Sequence, residues 1–521
     1  MPSLAANRRG PLLYAAIAAV AFAVRLVPIL RGGGLGFYGR YDDGVYYAAA
    51  EGLTFGHAPY RDYLLLHPPG LALVLAPFAL LGRATTDASG FAVARLVFMA
   101  VGALNAMLVA RLAARWGWVA AAVAGLLYAC WVPAVYGEQT TLLEPLGTTA
   151  TMVALLLLCR APVPSRRVAV AAGVTLGLAL ALKVWYVVPL LVVVGWQWRL
   201  GRHGAARRIV VSAVVAVGVV VIPFFALAPG AMFRMVLRDQ VARAGEPSSP
   251  VDRVEWLLGV RPLIDRPNAA LFVTLIALAV VGAAMLVCSL DRLARVLVGL
   301  VGLGVLVLLV SPTFYPHYGE LTAAPMAVTV GIGIARIRAE LAAPRFNRAL
   351  LVMASAAVAA SGIAVVATPE GHGFAAAAFE AAAPAGCVTA DDPVALIEMD
   401  RLTSDFAAGC AVPVDVSGIT YDRLRASRSH VNESRVNRGE NPAWQRYLHD
   451  YLFSGAAFVL LRERQDGISP RYLGQVRAAP VLARDGRIVL RAGLNARRTP
   501  AAHSARRASY DRGRPARGTG R

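Results

Sequence analysis

Long apolar runs separated by short basic or turn-rich segments dominate the chain, falling near residues 11–30, 91–110, 118–136, 145–159, 168–182, 184–198, 209–228, 269–288, 296–312, 320–335 and 349–367. Most have the roughly 20-residue length that a helix needs to cross a hydrocarbon core about 30 Å thick. Inside lipid an open segment satisfies its own backbone hydrogen bonds only as a helix. The pattern therefore predicts a polytopic α-helical membrane protein with about eleven transmembrane helices. The first run follows Arg8 and Arg9 and is succeeded by Arg31-Gly32-Gly33-Gly34 rather than by a small-residue cleavage site. It reads as an uncleaved anchor rather than a signal peptide.

Arginine placement orients the spans. Arg111 and Arg115, then Arg160, Arg166 and Arg167, then Arg199, Arg202, Arg207 and Arg208, then Arg292 and Arg295, then Arg336, Arg338, Arg345 and Arg348 fall between alternate runs. With Arg8 and Arg9 they mark the cytoplasmic side. Segments 31–90, 137–144, the turn at Lys183, 229–268, 311–318 and everything beyond Thr368 then face outward. This predicts a multi-pass protein of the cytoplasmic membrane with a cytoplasmic amino terminus. The run 71–82 is too short to cross and contains Pro77; it is expected to lie along the outer interface or to re-enter.

Past residue 368 the period changes to short strand and helix signals: CVTAD, PVALIEMDRL, VPVDVSG, WQRYLHDYLFSG, AAFVLLRE and GRIVLRAG. A small extracytoplasmic α/β domain over 370–495 follows from them. It succeeds a transmembrane domain over 1–369 that contains the outer loop 31–90. The stretch 496–521 has almost no apolar residues and repeated Arg, so a disordered basic tail is expected.

Composition agrees with a membrane chain: 57% of the 521 residues are hydrophobic and 16% charged. A net charge of +21 raises the question of nucleic acid. The arginines, however, lie between apolar runs or in the tail, and the expected partners are membrane and anionic envelope material, with no nucleic acid. Lys183 is the single lysine. Of five cysteines, Cys130, Cys159 and Cys288 fall in apolar runs and read as packing residues. Cys387 and Cys410 share the outer segment, where the compartment permits oxidation, and are expected to form a disulfide.

The candidate chemistry lies outside. The stretch Phe37–Gly70 holds Asp42-Asp43, Glu51, His57, Asp62, six tyrosines and a His67-Pro68-Pro69-Gly70 turn, and reads as an active-site loop. Glu138 and Glu144 occupy the other short outer segment, Lys183 interrupts two apolar runs, and His317-Tyr318 ends another. Each has a bland alternative: a solvated loop for the aspartates, a helix-start carboxylate for Glu144, and snorkelling for Lys183. Convergence of all of them on one face suits chemistry on a phosphate-bearing substrate, with a carboxylate activating a hydroxyl and cations neutralising the leaving phosphate. Asp42, Asp43 and Glu144 offer oxygens of the kind Mg²⁺ or Mn²⁺ takes, and no zinc-type spacing occurs; no cofactor is firmly implied, and a divalent metal is not favoured. Two readings from other classes compete, a polytopic transporter or lipid flippase and an assembly factor acting through the outer domain.

The order of these motifs resembles the GT-C superfamily of membrane glycosyltransferases, in particular the protein O-mannosyltransferase and aminoarabinose-transferase type. Asp42-Asp43 are similar to the family's acidic pair after span one, His67-Pro68-Pro69 to its His- or Lys-Pro-Pro motif, and 71–82 to the interfacial helix behind it. Glu144-Pro145-Leu146, Gly177–Lys183 and His317-Tyr318 with Pro325 are similar to later family elements, with His317 where the family has Arg. The resemblance spans roughly residues 11–370. It implies inverting sugar transfer from a polyprenyl-phosphate donor to a lipid, glycan or protein acceptor at the outer face. Asp42 would be the general base and Asp43 its positioning neighbour. Glu144 would orient hydroxyls, while His67, Lys183 and His317 would hold the donor phosphate. Glu138 and Tyr318 complete the expected substrate-binding set.

Overall fold

The structure, a computed structural model, describes residues 9–241, 248–340, 344–422, 438–463 and 466–493. The expected tail at 496–521 lies outside the described residues. All eleven apolar runs fall on helices. Among the described residues six helices are long and apolar enough to cross a membrane: Gly10–Arg31, Asp87–Trp116, His203–Leu227, Pro267–Ser289, Pro316–Glu340 and Pro344–Ala367. The run 118–136 is a bent pair, Trp118–Cys130 and Val132–Glu138, turned by 57°. Trp131 is extended between them and Pro133 opens the second helix, where its missing N–H costs no hydrogen bond. Counting that pair as one span gives seven, and Gly70–Ala84, Glu144–Leu158 and Arg295–Val310 are shorter apolar helices.

Small residues let the helices approach. Gly173 and Gly177 on Arg166–Leu182 face His203–Leu227, and a Cβ on Gly177 would collide with the Ala213 carbonyl oxygen. This is the close backbone packing that small-xxx-small spacing allows where no hydrophobic drive acts between helices. One buried cluster of mainly Ala, Leu and Val side chains from Gly10–Arg31, Asp87–Trp116 and later helices fills the bundle interior.

The bundle has two chemically different ends. At one, Trp116 Nε1 donates to Asp291 at 2.9 Å and Arg336 pairs with the same carboxylate, so the arginine-rich connections gather there. At the other, Arg31 donates to the Val366 carbonyl, and the segments 37–70, 131–144, 183–186 and 311–320 meet.

The acidic stretch read as a loop is largely helical: Asp42–Thr54 forms a helix whose residues Asp43–Gly52 are buried. Two carboxylates in its first turn suit the partial positive charge of a helix start. It packs on the helix Gly70–Ala84 and lies beneath the carboxyl-terminal unit. That unit carries a four-stranded sheet in the order β1-β2-β4-β3, with β1 Val388–Ala390, β2 Ala457–Val459, β3 Val481–Asp485 and β4 Ile488–Ala492. β1 and β2 run parallel, with Val388 opposite Ala457. β4 is antiparallel to β2 and to β3.

The two parallel strands need a long crossover, and the chain between them supplies the helix Pro442–Ser454, anchored by the fully buried Trp444 whose Nε1 donates to the Asp466 carbonyl at 2.8 Å. Val45, Tyr47, Leu65 and Leu75 of the outer segment share one apolar cluster with Val388, Val394, Leu396 and Leu490 of the sheet unit. Cys387 and Cys410 are joined by a disulfide.

Candidate active site

The chain reaches the acidic pair through a strained step. Tyr41 has φ of +51°, a left-handed value that a residue with a bulky side chain adopts at a cost of about 1–3 kcal/mol. Its hydroxyl accepts from the Ser417 N–H at 2.7 Å, and the Arg462 guanidinium lies 3.8 Å over its ring. Arg40, one residue earlier, stacks 3.2 Å over Tyr136, donates to Gln139 Oε1 and pairs with Glu370. The backbone entering Asp42 is thereby fixed from both sides.

The two aspartates then separate in environment. Asp43 is fully buried. Its Oδ2 accepts from Arg95 Nη2 at 2.7 Å and Thr140 Oγ1 at 2.6 Å, and its Oδ1 from the Gly44 N–H at 2.8 Å. Arg95 also donates to the carbonyls of Leu35 and Phe37 and lies 3.8 Å from Glu398 of the sheet unit. Asp42, in contrast, keeps 37% of its side chain exposed and sits 4.0 Å from His317 Nε2. One acid is a structural tie and its neighbour is partly exposed beside His317.

His317 also lies 3.9 Å from Glu144 Oε1. Glu144 opens the helix Glu144–Leu158 and is bonded to Lys183 Nζ, while its carbonyl accepts from Tyr186. The Lys183 ammonium is also 4.0 Å from the Tyr318 ring centroid and 4.8 Å from that of Trp185. Lys183, only 4% exposed, interrupts the helix Arg166–Leu182 in an extended conformation and is followed by the 3₁₀ turn Val184–Tyr186. A β-conformation at that break turns the side chain from lipid towards the site. A charged group so deep is retained because it is paired and stacked on aromatic faces.

A cavity of about 250 Å³ opens beside this cluster. His67, Lys183 and Tyr318 form its polar end, and Val236, Val307 and Val310 are among its apolar walls. The His67 ring is edge-on to Tyr46, and its carbonyl accepts from Tyr60 at 2.7 Å.

Five expected residues therefore converge: Asp42, Glu144, Lys183, His317 and Tyr318, with His67 on the same cavity. Glu138 does not join them. It is fully buried, its Oε2 bonded to Arg25 and its Oε1 accepting from Asn105 Nδ2 at 2.6 Å and Tyr128 at 2.7 Å. Glu138 ends the helix Val132–Glu138 rather than lying in an outer loop, and both of its oxygens are bonded within the protein. Asp62 is held locally by Arg61 and the Ala58 N–H. His57 leans on Phe406. Glu51 accepts from Thr403 of the sheet unit at 3.0 Å, and burial pushes its carboxyl up to about 7.

The residues missed from sequence are the supports. Arg95 and Arg25 each interrupt an apolar run, the signal by which an intramembrane charge announces a function or a partner. Glu320 is fully buried opposite Gly137, where a Cβ would collide with its carboxylate, and it follows His317-Tyr318 by two residues. Among the described residues the one group of Cys, His and acidic atoms close enough to hold a metal is Cys387, Asp405 and Cys410, and both of its sulfurs are spent on the disulfide.

Comparison with known proteins adds a family similarity and a fold. The model of glycosyltransferase family 87 matches residues 65–312. No curated protein matches the chain. Among solved structures, ArnT from Cupriavidus metallidurans bound to undecaprenyl phosphate is 17% identical, with a TM-score of 0.58 over 95% of this chain and 100% of that one. The apo form of the same protein is 18% identical, with a TM-score of 0.56 over 94% and 99%. The oligosaccharyltransferase AglB from Archaeoglobus fulgidus, in complex with an inhibitory peptide and a dolichol-phosphate, is 13% identical, with a TM-score of 0.56 over 89% of this chain and 70% of that one. The chain is a multi-pass membrane protein similar to glycosyltransferase family 87 over residues 65–312, and along most of its length it has the fold of ArnT and AglB.

Proposed function

We propose that the protein transfers a sugar from a polyprenyl-phosphate donor to an acceptor hydroxyl at the outer face of the cytoplasmic membrane, with inversion. The observation that carries this reading is the junction of the partly exposed Asp42 with His317, Glu144 and Lys183, the last of which also lines a mainly apolar cavity. Apolar walls suit the isoprenoid, and Lys183 with His67 and His317 suits its phosphate. That ArnT binds undecaprenyl phosphate and AglB a dolichol-phosphate agrees with a lipid-phosphate donor.

In the transfer step Asp42 takes the proton of the acceptor hydroxyl as that oxygen bonds to the anomeric carbon from the face opposite the phosphate. The bond from the anomeric carbon to the phosphate oxygen breaks, and its electron pair leaves with the polyprenyl phosphate. Lys183 offsets the charge that develops there, with His317 as a hydrogen-bond donor beside it, where low dielectric makes such preorganised groups effective. Asp43 holds the helix start through Arg95 and Thr140, and Glu144 aims Lys183. One displacement inverts the anomeric centre. Tyr318 contributes its ring face to Lys183.

All eleven helical runs, the shorter ones included, are taken to cross or enter the membrane. The arginine-rich end would be cytoplasmic and the sheet unit outside, where the Cys387–Cys410 disulfide is stable. The chain would comprise a transmembrane part over 1–369, an extracytoplasmic unit over 370–495 and a basic tail. The test is incubation of purified protein in lipid nanodiscs with a panel of radiolabelled polyprenyl-phosphate sugars. Loss of labelled product, or of donor breakdown, in Asp42→Asn is expected; full turnover by Asp42→Asn would refute the mechanism.

A further inference from the structure

A second and larger cavity, of about 1050 Å³, lies between the sheet unit and the segment that leads into Asp42. Tyr38 and Gly39 form one wall, three residues before the proposed base. Arg462, Arg477, Arg484, Arg487 and Arg491 line the rest, against the carboxylates of Asp392 and Glu463. Five guanidinium groups share one space; Glu463 pairs with Arg477 at 3.0 Å and Asp466 lies 3.8 Å from Arg462, which offsets two of the five. Arg491 registers the crowding: its guanidinium is pulled below its ordinary value first by burial and then by Arg484 and Arg477, with Glu463 opposing.

The arginines are placed rather than scattered. Arg491 Nη1 donates to the carbonyls of Arg477 and Ala479 at 3.0 and 2.9 Å. Arg462 lies over Tyr41 and so touches both the cavity and the residue next to Asp42. Asp392 supplies a second kind of contact. One of its oxygens accepts from the Val394 N–H at 3.0 Å, while Oδ2 is buried without a hydrogen-bond partner on the protein. A buried acceptor left open in this way is costly unless a ligand completes it, and a sugar hydroxyl is a donor of the right kind.

We propose that this cavity binds the acceptor, and that the acceptor is an anionic saccharide whose phosphate or carboxylate groups lie on the arginines while a sugar hydroxyl meets Asp392. Guanidinium groups pair both anions in bidentate fashion. The chain from Gly39 to Asp42 then links acceptor binding to the base. This assignment rests on the reading of Asp42 as the base that receives the acceptor hydroxyl.

The test uses the full chain in phosphatidylcholine nanodiscs, with fluorescent oligogalacturonate and mannopentaose phosphate as anionic probes and neutral mannopentaose as control. A variant carrying Arg477→Gln, Arg484→Gln and Arg487→Gln removes three exposed side chains and leaves the core untouched. At least one anionic probe is expected to bind the wild type, about tenfold more weakly to the variant, and more weakly in raised salt, since exposed charges are screened. The neutral sugar is expected to bind neither. Equal binding of the probes to wild type and variant, or binding of none, overturns the proposal.

A second arm measures binding of the protein in detergent to phosphatidylglycerol vesicles. Loss of vesicle binding in the variant without loss of oligosaccharide binding would make the cavity a lipid-headgroup site and also overturn it. Donor hydrolysis to water, followed in the same samples, separates the two readings: the arginine variant is expected to keep it and Asp42→Asn to lose it. Retention by Asp42→Asn strikes the catalytic reading alone.

Discussion

Tyr41 and Asp415 stand 374 positions apart in the chain, and the Tyr41 hydroxyl donates a 2.8 Å hydrogen bond to Asp415 Oδ1. The contact joins the last residue before the proposed base to the carboxyl-terminal unit, with Arg462 and the Ser417 N–H as further ties. Tyr41 is held at positive φ by these partners, so the sheet unit acts on the site by fixing the backbone that aims Asp42.

Tyr41→Phe keeps the ring beneath Arg462 and removes only the hydroxyl, leaving the buried Ser417 N–H without its acceptor. The expected loss of stability is about 1–3 kcal/mol. Donor turnover number is expected to fall while KM for the donor stays, because the phosphate-binding groups lie on other elements. Thermal unfolding with steady-state kinetics checks both. A raised donor KM with unchanged turnover would detach Tyr41 from the aim of the base.

Asp42→Asn and Asp43→Asn are expected to fail in different ways. Loss of a general base removes about 10²–10⁴ of rate, and Asp42 is partly exposed and adds little to packing, so its variant should unfold at the wild-type temperature. Asp43 is sealed against Arg95, and taking one partner from a buried ion pair costs about 3–5 kcal/mol. Its variant should melt earlier and recover part of its activity on cooling. Identical melting curves for the two variants would contradict this division of labour.

Lys183 and Glu144 form one unit, so their effects should not add. Lys183→Gln and Glu144→Gln each strand a buried partner, whereas the double variant leaves two neutral amides. A double-mutant cycle on stability is expected to show coupling within about 0.5–3 kcal/mol. Donor KM should rise in every variant lacking Lys183, by about tenfold or more, since about 1.4 kcal/mol of phosphate contact is tenfold in affinity. Strict additivity would mean that the pair is not formed in the protein.

What the sequence discloses and what it withholds follow one physical division. Lipid enforces helix on every long apolar run, so the helices are legible from hydropathy, and the positive-inside bias groups Asp42, Glu144, Lys183 and His317 on one side. The same pattern misleads at 132–138, where a bend at Trp131 and Pro133 carries Glu138 inward to Arg25. It also misreads 42–54, where burial beneath the sheet unit makes a helix of what hydropathy takes for a loop. Long-range pairs such as Arg95 with Asp43, or Tyr41 with Asp415, leave no local periodicity. Of those four residues Asp43 carries a local signal as half of an acidic pair and Arg95 as a charge within an apolar run, but neither signal names its partner.

The unit above the site also carries a pH dependence whose direction can be worked out. Burial lifts Glu398 from an ordinary 4.5 to about 7, with Arg95 opposing and Asp43 reinforcing the rise. Burial lifts Asp405 to about 7 as well, against the Val388 N–H bond and Arg401 and with Asp87 adding to it. In the unfolded chain both acids ionise near their ordinary values, about 4. The folded protein therefore holds more protons between about 4 and 7, so this stabilisation is complete at the acid end and is lost as pH rises through 7. The melting temperature in detergent should fall from pH 5 to pH 8, by an amount corresponding to a few kcal/mol at most, since each tenfold gain in proton affinity on folding is worth about 1.4 kcal/mol. Glu398→Gln with Asp405→Asn fixes both groups in the neutral form and should flatten that slope. An unchanged slope in the double variant would place the proton uptake elsewhere. Because Glu398 faces the guanidinium that holds Asp43, ionisation at high pH also competes for Arg95, and activity in the wild type should decline over the same range while the double variant declines less.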